Sequence, residues 1–102
     1  MVRYLERCKH DVVFIQELKA DAHKCLEMQA KLRRKGWRFF FTPANETEKG
    51  AWSAGVGIAV KLHVDAWAAE RPAVVLGRIL KVYANLPTFG QVALYSVYLV
   101  AA

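Results

Sequence analysis

Asp11-Val12-Val13-Phe14-Ile15-Gln16-Glu17-Leu18-Lys19 sets an unbroken apolar segment between polar ends. Val12 to Ile15 are each β-branched or aromatic, which predicts a strand covered on both faces. The change at Gln16-Glu17 ends it abruptly. Asp21 then stands where it can cap a helix running to about Lys35, in which Ala22, Cys25, Met28 or Gln29, and Leu32 recur at three or four residues with Leu26 beside them. Gly36 closes that helix, and Lys31, Arg33, Arg34 and Lys35 crowd its last turn, where the negative end of the helix dipole favours cations. A second strand follows at Trp37-Arg38-Phe39-Phe40-Phe41, stopped by Thr42-Pro43.

Upstream, Val2, Leu5 and Cys8 repeat at helical spacing from the first residue without a cap. The expectation is an element already under way, and hence a piece of a longer domain. Downstream, Asn45 to Ser53 reads as a polar loop. Ala54-Gly55-Val56-Gly57-Ile58-Ala59-Val60-Lys61 resumes a strand whose glycines permit close backbone approach. Residues 62 to 75 show no clear period and are read as connection. Gly77 to Ala84 and Gln91 to Val100 read as two strands, which Leu86-Pro87-Thr88-Phe89-Gly90 folds into an antiparallel hairpin. Together these elements predict a layered α/β (α+β) domain with a mixed, largely antiparallel sheet and helices on one face. One complete helix cannot cover both faces of such a sheet, so a large apolar sheet face is expected to be exposed.

A chain of 102 residues is one small domain at most. Its 55% hydrophobic content is enough core material to argue against disorder. Fifteen Lys and Arg against nine Asp and Glu leave a net charge of +6, which favours polyanions as partners. No window approaches the roughly 18 apolar residues of a spanning helix, and the start has no secretory apolar stretch. An intracellular protein without a membrane partner is the default expectation. Cys8 and Cys25 are too few for a disulfide framework. Cys8-Lys9-His10 and His23-Lys24-Cys25 mirror each other as a nominal zinc set. Residues two apart on a helix diverge by about 200°, however, so packing is the better reading of both thiols.

Glu17 carries the most chemistry, because α/β sheets place ligand-binding groups at the C-terminal ends of their strands. Magnesium needs only one or two carboxylates when a substrate supplies the remaining oxygens. A strand-end Glu is more often solvated or paired with a nearby lysine, here Lys19. His10, His23 and His63 read as surface or packing residues, and His63 has no evident Asp partner in the sequence. Lys31-Leu32-Arg33-Arg34-Lys35-Gly36-Trp37-Arg38 suggests a second class of function, nucleic-acid binding, with Arg33 and Arg34 on phosphates and Trp37 stacked on a base if exposed. Against that, helix C-termini attract positive charge anyway, and a tryptophan at a strand start is more often core.

The first strand, ending in Gln16-Glu17 with Lys19 two positions on, is similar to a strand of the endonuclease/exonuclease/phosphatase superfamily, the DNase I-like fold. Gly36 to Pro43 resembles that family's next strand, and Ser53 to Val60 its glycine-bearing strand. Gly77-Arg78-Ile79-Leu80 and Leu94-Tyr95-Ser96-Val97-Tyr98 resemble its hairpin, the second strand ending at a tyrosine. The order looks closest to the AP-endonuclease-like and retroelement-endonuclease branches. The resemblance implies half of a four-layer sandwich, residues 1 to 102 being part of one domain. It also implies a magnesium-dependent phosphodiesterase, with manganese as a substitute ion, acting on nucleic acid or another phosphodiester. Glu17 would hold the metal, Tyr98 would contact the scissile phosphate, and Lys19, Arg33 and Arg34 would contact nucleic acid. The family's remaining catalytic residues, an Asn before the first helix and Asp, Asn and Asp-His groups after the tyrosine strand, have no counterpart here. The chain alone is therefore expected to be inactive. A basic binding module and a degenerate interaction domain are the alternatives.

Overall fold

The computed structural model describes residues 10–16, 18, 20–42, 45–46, 52–53, 55–75, 78–87 and 89–97, with side chains of 45–46, 52–53 and 71–75 left aside. Among these, one helix and eight strands follow in the order β1 (Val12–Ile15), α1 (Ala22–Arg34), β2 (Trp37–Thr42), β3 (Asn45–Glu46), β4 (Trp52–Ser53), β5 (Val56–Lys61), β6 (Asp65–Val75), β7 (Ile79–Leu86) and β8 (Gly90–Val97). Three sheets form, ordered β1-β5-β2, β3-β4 and β6-β7-β8. Every ladder is antiparallel. The chain is an α+β fold. The expected terminal helix falls within residues 1–9, outside the described residues.

Local chemistry sets the limits of α1. The Asp21 carboxylate accepts the Lys24 backbone N–H at 2.8 Å, satisfying a donor that the first turn leaves unpaired. At the other end Gly36 takes φ +91°, a conformation open to glycine at little cost, and its N–H reaches the Arg33 carbonyl at 3.2 Å. The reversal feeds directly into β2. Because β5 inserts between β1 and β2 and runs against both, β1–α1–β2 is a split unit whose parallel strands never touch.

The strand covered on both faces is β5, not β1. Val56 to Val60 are all buried, whereas β1 is an edge strand with Phe14 48% exposed. The reason is positional: a four-residue run at the edge of a three-stranded sheet has one neighbour, and its apolar residues are half covered. On β5 size alternates with face. Val56, Ile58 and Val60 join one core cluster with Leu80, Val82 and Ala84 of β7. Ala59 lies on the opposite face in a second cluster with Leu32 of α1 and Trp37 and Phe39 of β2. Small residues on that side make room for aromatic rings. At Gly57 an added Cβ would lie 2.5 Å from Phe39 Cε1, so the close approach expected of this glycine is real.

The second cover of the β1-β5-β2 sheet comes from the β6-β7-β8 sheet, not from a missing layer. Helix α1 packs on one face and β7 and β8 on the other, giving three layers, α/β/β. That sheet includes β6, an eleven-residue strand in the segment read as connection. The register explains the difference. Ala68 pairs with Val82 but Ala73 with Leu80, so the ladder shifts across the interval containing Pro72, and no simple alternation survives in the sequence. A proline is tolerated there because β6 is an edge strand. The hairpin of β7 and β8 forms as expected, with Leu86 opposite Gly90 at φ +73°. No described helix is long and apolar enough to cross a membrane.

Candidate functional site

Three long-range hydrogen bonds hold the C-terminal exit of β1. Gln16 Nε2 donates to the Val97 carbonyl at 2.8 Å. Ser96 Oγ donates to the Ile15 carbonyl at 3.3 Å. Leu18 N–H donates to the Gly55 carbonyl at 2.9 Å. Residues on either side of position 17 are thus anchored to two different strands, Gln16 to the end of β8 and Leu18 to the residue before β5. Glu17, Lys19 and Tyr98 themselves lie outside the described residues. Their immediate neighbours Gln16 and Val97 meet across 81 positions of sequence. The sequence signal for this seam was Ser96, a polar residue at a buried position of a strand whose other inward residues are Val92 and Leu94.

Arg33 and Arg34 are exposed on the last turn of α1. Arg33 also lines a groove of about 360 Å³ beside β2, with Leu26, Gln29, Ala30, Trp37, Arg38 and Phe39. Gln29 Nε2 closes part of that groove by donating to the Phe39 carbonyl at 2.9 Å. Arg38, the last cation of the basic run, is committed to structure: Nη1 donates to the Ala66 carbonyl at 2.7 Å, tying β2 to β6. Trp37 cannot serve as a stacking platform. It is 2% exposed, packed in the core beneath α1, with Lys61 Nζ 5.6 Å from its ring centroid.

At the opposite end of β1, the structure supplies the partner that His63 lacks in the sequence. His63 Nε2 lies 3.4 Å from Asp11 Oδ1, and Lys61 Nζ 4.0 Å from the same oxygen. The pairing follows from register: Val12 faces Val60, and Lys61 N–H donates to the Asp11 carbonyl at 2.9 Å. Asp11 and His63 are 52 positions apart in sequence, and the β1–β5 ladder brings them together. Asp11 and His63 are exposed and Lys61 is half-buried, which makes the pairs weak.

Among the described residues, the mirrored Cys and His side chains form no common ligand set. Cys25 is fully buried, and its thiol donates to the Ala20 carbonyl at 3.7 Å. Burial, and after it the charge of Asp21, push the thiol up to about 11, so it stays protonated and inert at neutral pH. His23 points outward to Glu27 at 2.9 Å. Cys8 lies outside the described residues. Among the described residues no group of three or more His, Cys, Asp and Glu could hold a metal ion. A magnesium site with a single carboxylate does not require such a group. No family model matches the sequence, and no curated protein or solved structure matches it at a significant level.

Proposed function

We propose that this chain carries part of the catalytic apparatus of a magnesium-dependent phosphodiesterase of the DNase I-like kind, with Glu17 as the metal carboxylate and Tyr98 at the scissile phosphate. The observation that supports this reading is the Gln16–Val97 hydrogen bond at 2.8 Å, which joins the residues immediately preceding Glu17 and Tyr98. Bound magnesium, or manganese in its place, supplies stabilisation of the charge that develops on phosphoryl oxygens. The contribution of this chain is placement: Gln16, Leu18 and Ser96 brace the backbone on either side of position 17 at the exit of β1. Lys19, Arg33 and Arg34 are the proposed cationic contacts to a nucleic-acid substrate.

Manganese tests this without requiring turnover. In the proposed site the paramagnetic ion broadens the amide NMR signals of Gln16, Leu18 and Val97 first, and Glu17→Gln abolishes that pattern. Broadening centred on Asp11 and His63 instead removes the reading. Nicking of supercoiled plasmid gives a second criterion: magnesium-dependent nicking lost in Glu17→Ala supports catalysis, and nicking equal in that variant assigns it to a contaminant. The second reading, a basic module that binds nucleic acid without chemistry, is favoured by the exposure of Arg33 and Arg34. It predicts salt-sensitive polynucleotide binding that survives Glu17→Gln and weakens on neutralising the two arginines.

A further inference from the structure

Period-2 alternation along β7 sends Leu80, Val82 and Ala84 into the core and Lys81, Tyr83 and Asn85 to the outer face of the β6-β7-β8 sheet. The register then places Trp67 of β6 opposite Tyr83, and Tyr95 of β8 opposite Lys81. Three aromatic rings on three adjacent strands share one face. The Trp67 and Tyr83 centroids are 6.0 Å apart with 31° between the planes. Lys81 Nζ lies 5.0 Å from the Tyr83 centroid and 5.6 Å from that of Tyr95. Trp67 is 37% exposed and Tyr95 49%, so the rings at both ends of the row present surface to solvent.

Cross-strand packing accounts for part of this arrangement, since an aromatic pair steadies a sheet. The same face also sets a cation, Lys81, between two rings on the solvent side of a sheet whose core lies on the other face. Flat π surfaces beside an ammonium group are what a single-stranded polynucleotide engages: bases stack on the rings and a phosphate takes the lysine. A duplex hides its base faces and offers the rings nothing. The net charge of +6 favours a polyanion over a neutral polymer. The acidic group at the Trp67 end of the face, Asp65, is engaged by Asn85 Nδ2 at 3.0 Å.

We propose that the outer face of the β6-β7-β8 sheet binds single-stranded nucleic acid, with Trp67, Tyr83 and Tyr95 stacking on bases and Lys81 contacting the backbone. This surface is separate from the exit of β1 and needs no metal. The test is fluorescence anisotropy of a labelled oligothymidine with the full chain in EDTA, so that its outcome is independent of the phosphodiesterase reading. The single strand binds more tightly than a duplex of the same length. Trp67→Leu and Tyr95→Leu each weaken binding about 5- to 100-fold, whereas Trp67→Phe, which keeps a ring, restores most of it. Lys81→Gln lowers the slope of log affinity against log salt by about one. Circular dichroism and cooperative thermal melts identify any variant that fails to fold, and the Phe and Gln variants then carry the test. Absence of binding at low salt, unchanged affinity in both leucine variants, or equal competition by a neutral oligosaccharide overturns the proposal. So does loss of binding confined to Arg33→Ala and Arg34→Ala, which moves the site to α1.

Discussion

Gly57 shows how a single missing carbon shapes the packing of this chain. A Cβ there would meet Phe39 Cε1 at 2.5 Å, Cζ at 2.9 Å and the Phe40 carbonyl at 3.2 Å, and Phe39 is itself fully buried. Gly57→Ala therefore overpacks the helix side of the sheet and is expected to cost about 1–3 kcal/mol in urea unfolding. Phe39→Leu in the same chain should relieve part of that cost, giving a double variant less destabilised than the sum. Cys25 makes a different residue-scale prediction. Its thiol rises from 9.0 to about 11 on folding, chiefly through burial. Between those pH values the unfolded chain has released the proton and the folded chain still holds it, so stability falls as pH rises. Unfolding free energies of wild type and Cys25→Ala, followed from neutral pH upward, should converge over that window; a constant gap would contradict the assignment.

At the level of elements, the boundaries of α1 rest on two local devices that the sequence displays openly, the Asp21 cap and Gly36. Asp21→Ala leaves the Lys24 N–H without its carboxylate and is expected to cost about 1 kcal/mol, a fall in Tm of about 4–8 °C. Asp21→Asn, which retains an acceptor, should lose far less. Thermal melts of the two variants distinguish capping from a general charge effect. Strand β6 is the contrasting case. Its alanines and Pro72 give no alternation, and the strand exists because β7 offers it an edge, with the ladder resuming after a register shift. Neighbour and not propensity decides such an element.

On the scale of the whole molecule, the β5–β7 contact is what makes two sheets and a helix into one layered body. Leu80 is fully buried between them, whereas Lys81 next to it faces outward among tyrosines. Leu80→Ala should cost about 2–5 kcal/mol, while Lys81→Gln should stay within about 0.5 kcal/mol of wild type. Equilibrium unfolding of this adjacent pair tests the layer order directly. Equal effects would mean that the sheets do not face each other as described.

Much of the local architecture was legible from residue order: the capped helix, the strands on both sides of it, the glycine-bearing strand and the final hairpin. Each depends on short-range chemistry, a carboxylate at a helix start, a left-handed glycine, a run of β-branched and aromatic side chains. What escaped that reading was long-range. That β5 takes the centre and β1 the edge, that a second sheet covers the first, that Trp37 is buried and that Asp11 meets His63 are all consequences of pairing between distant strands. The seam from Gln16 to Val97 belongs to the same class. Side-chain pattern determines which face a residue prefers, but register and neighbour determine what lies against that face, and those are settled only when the chain folds.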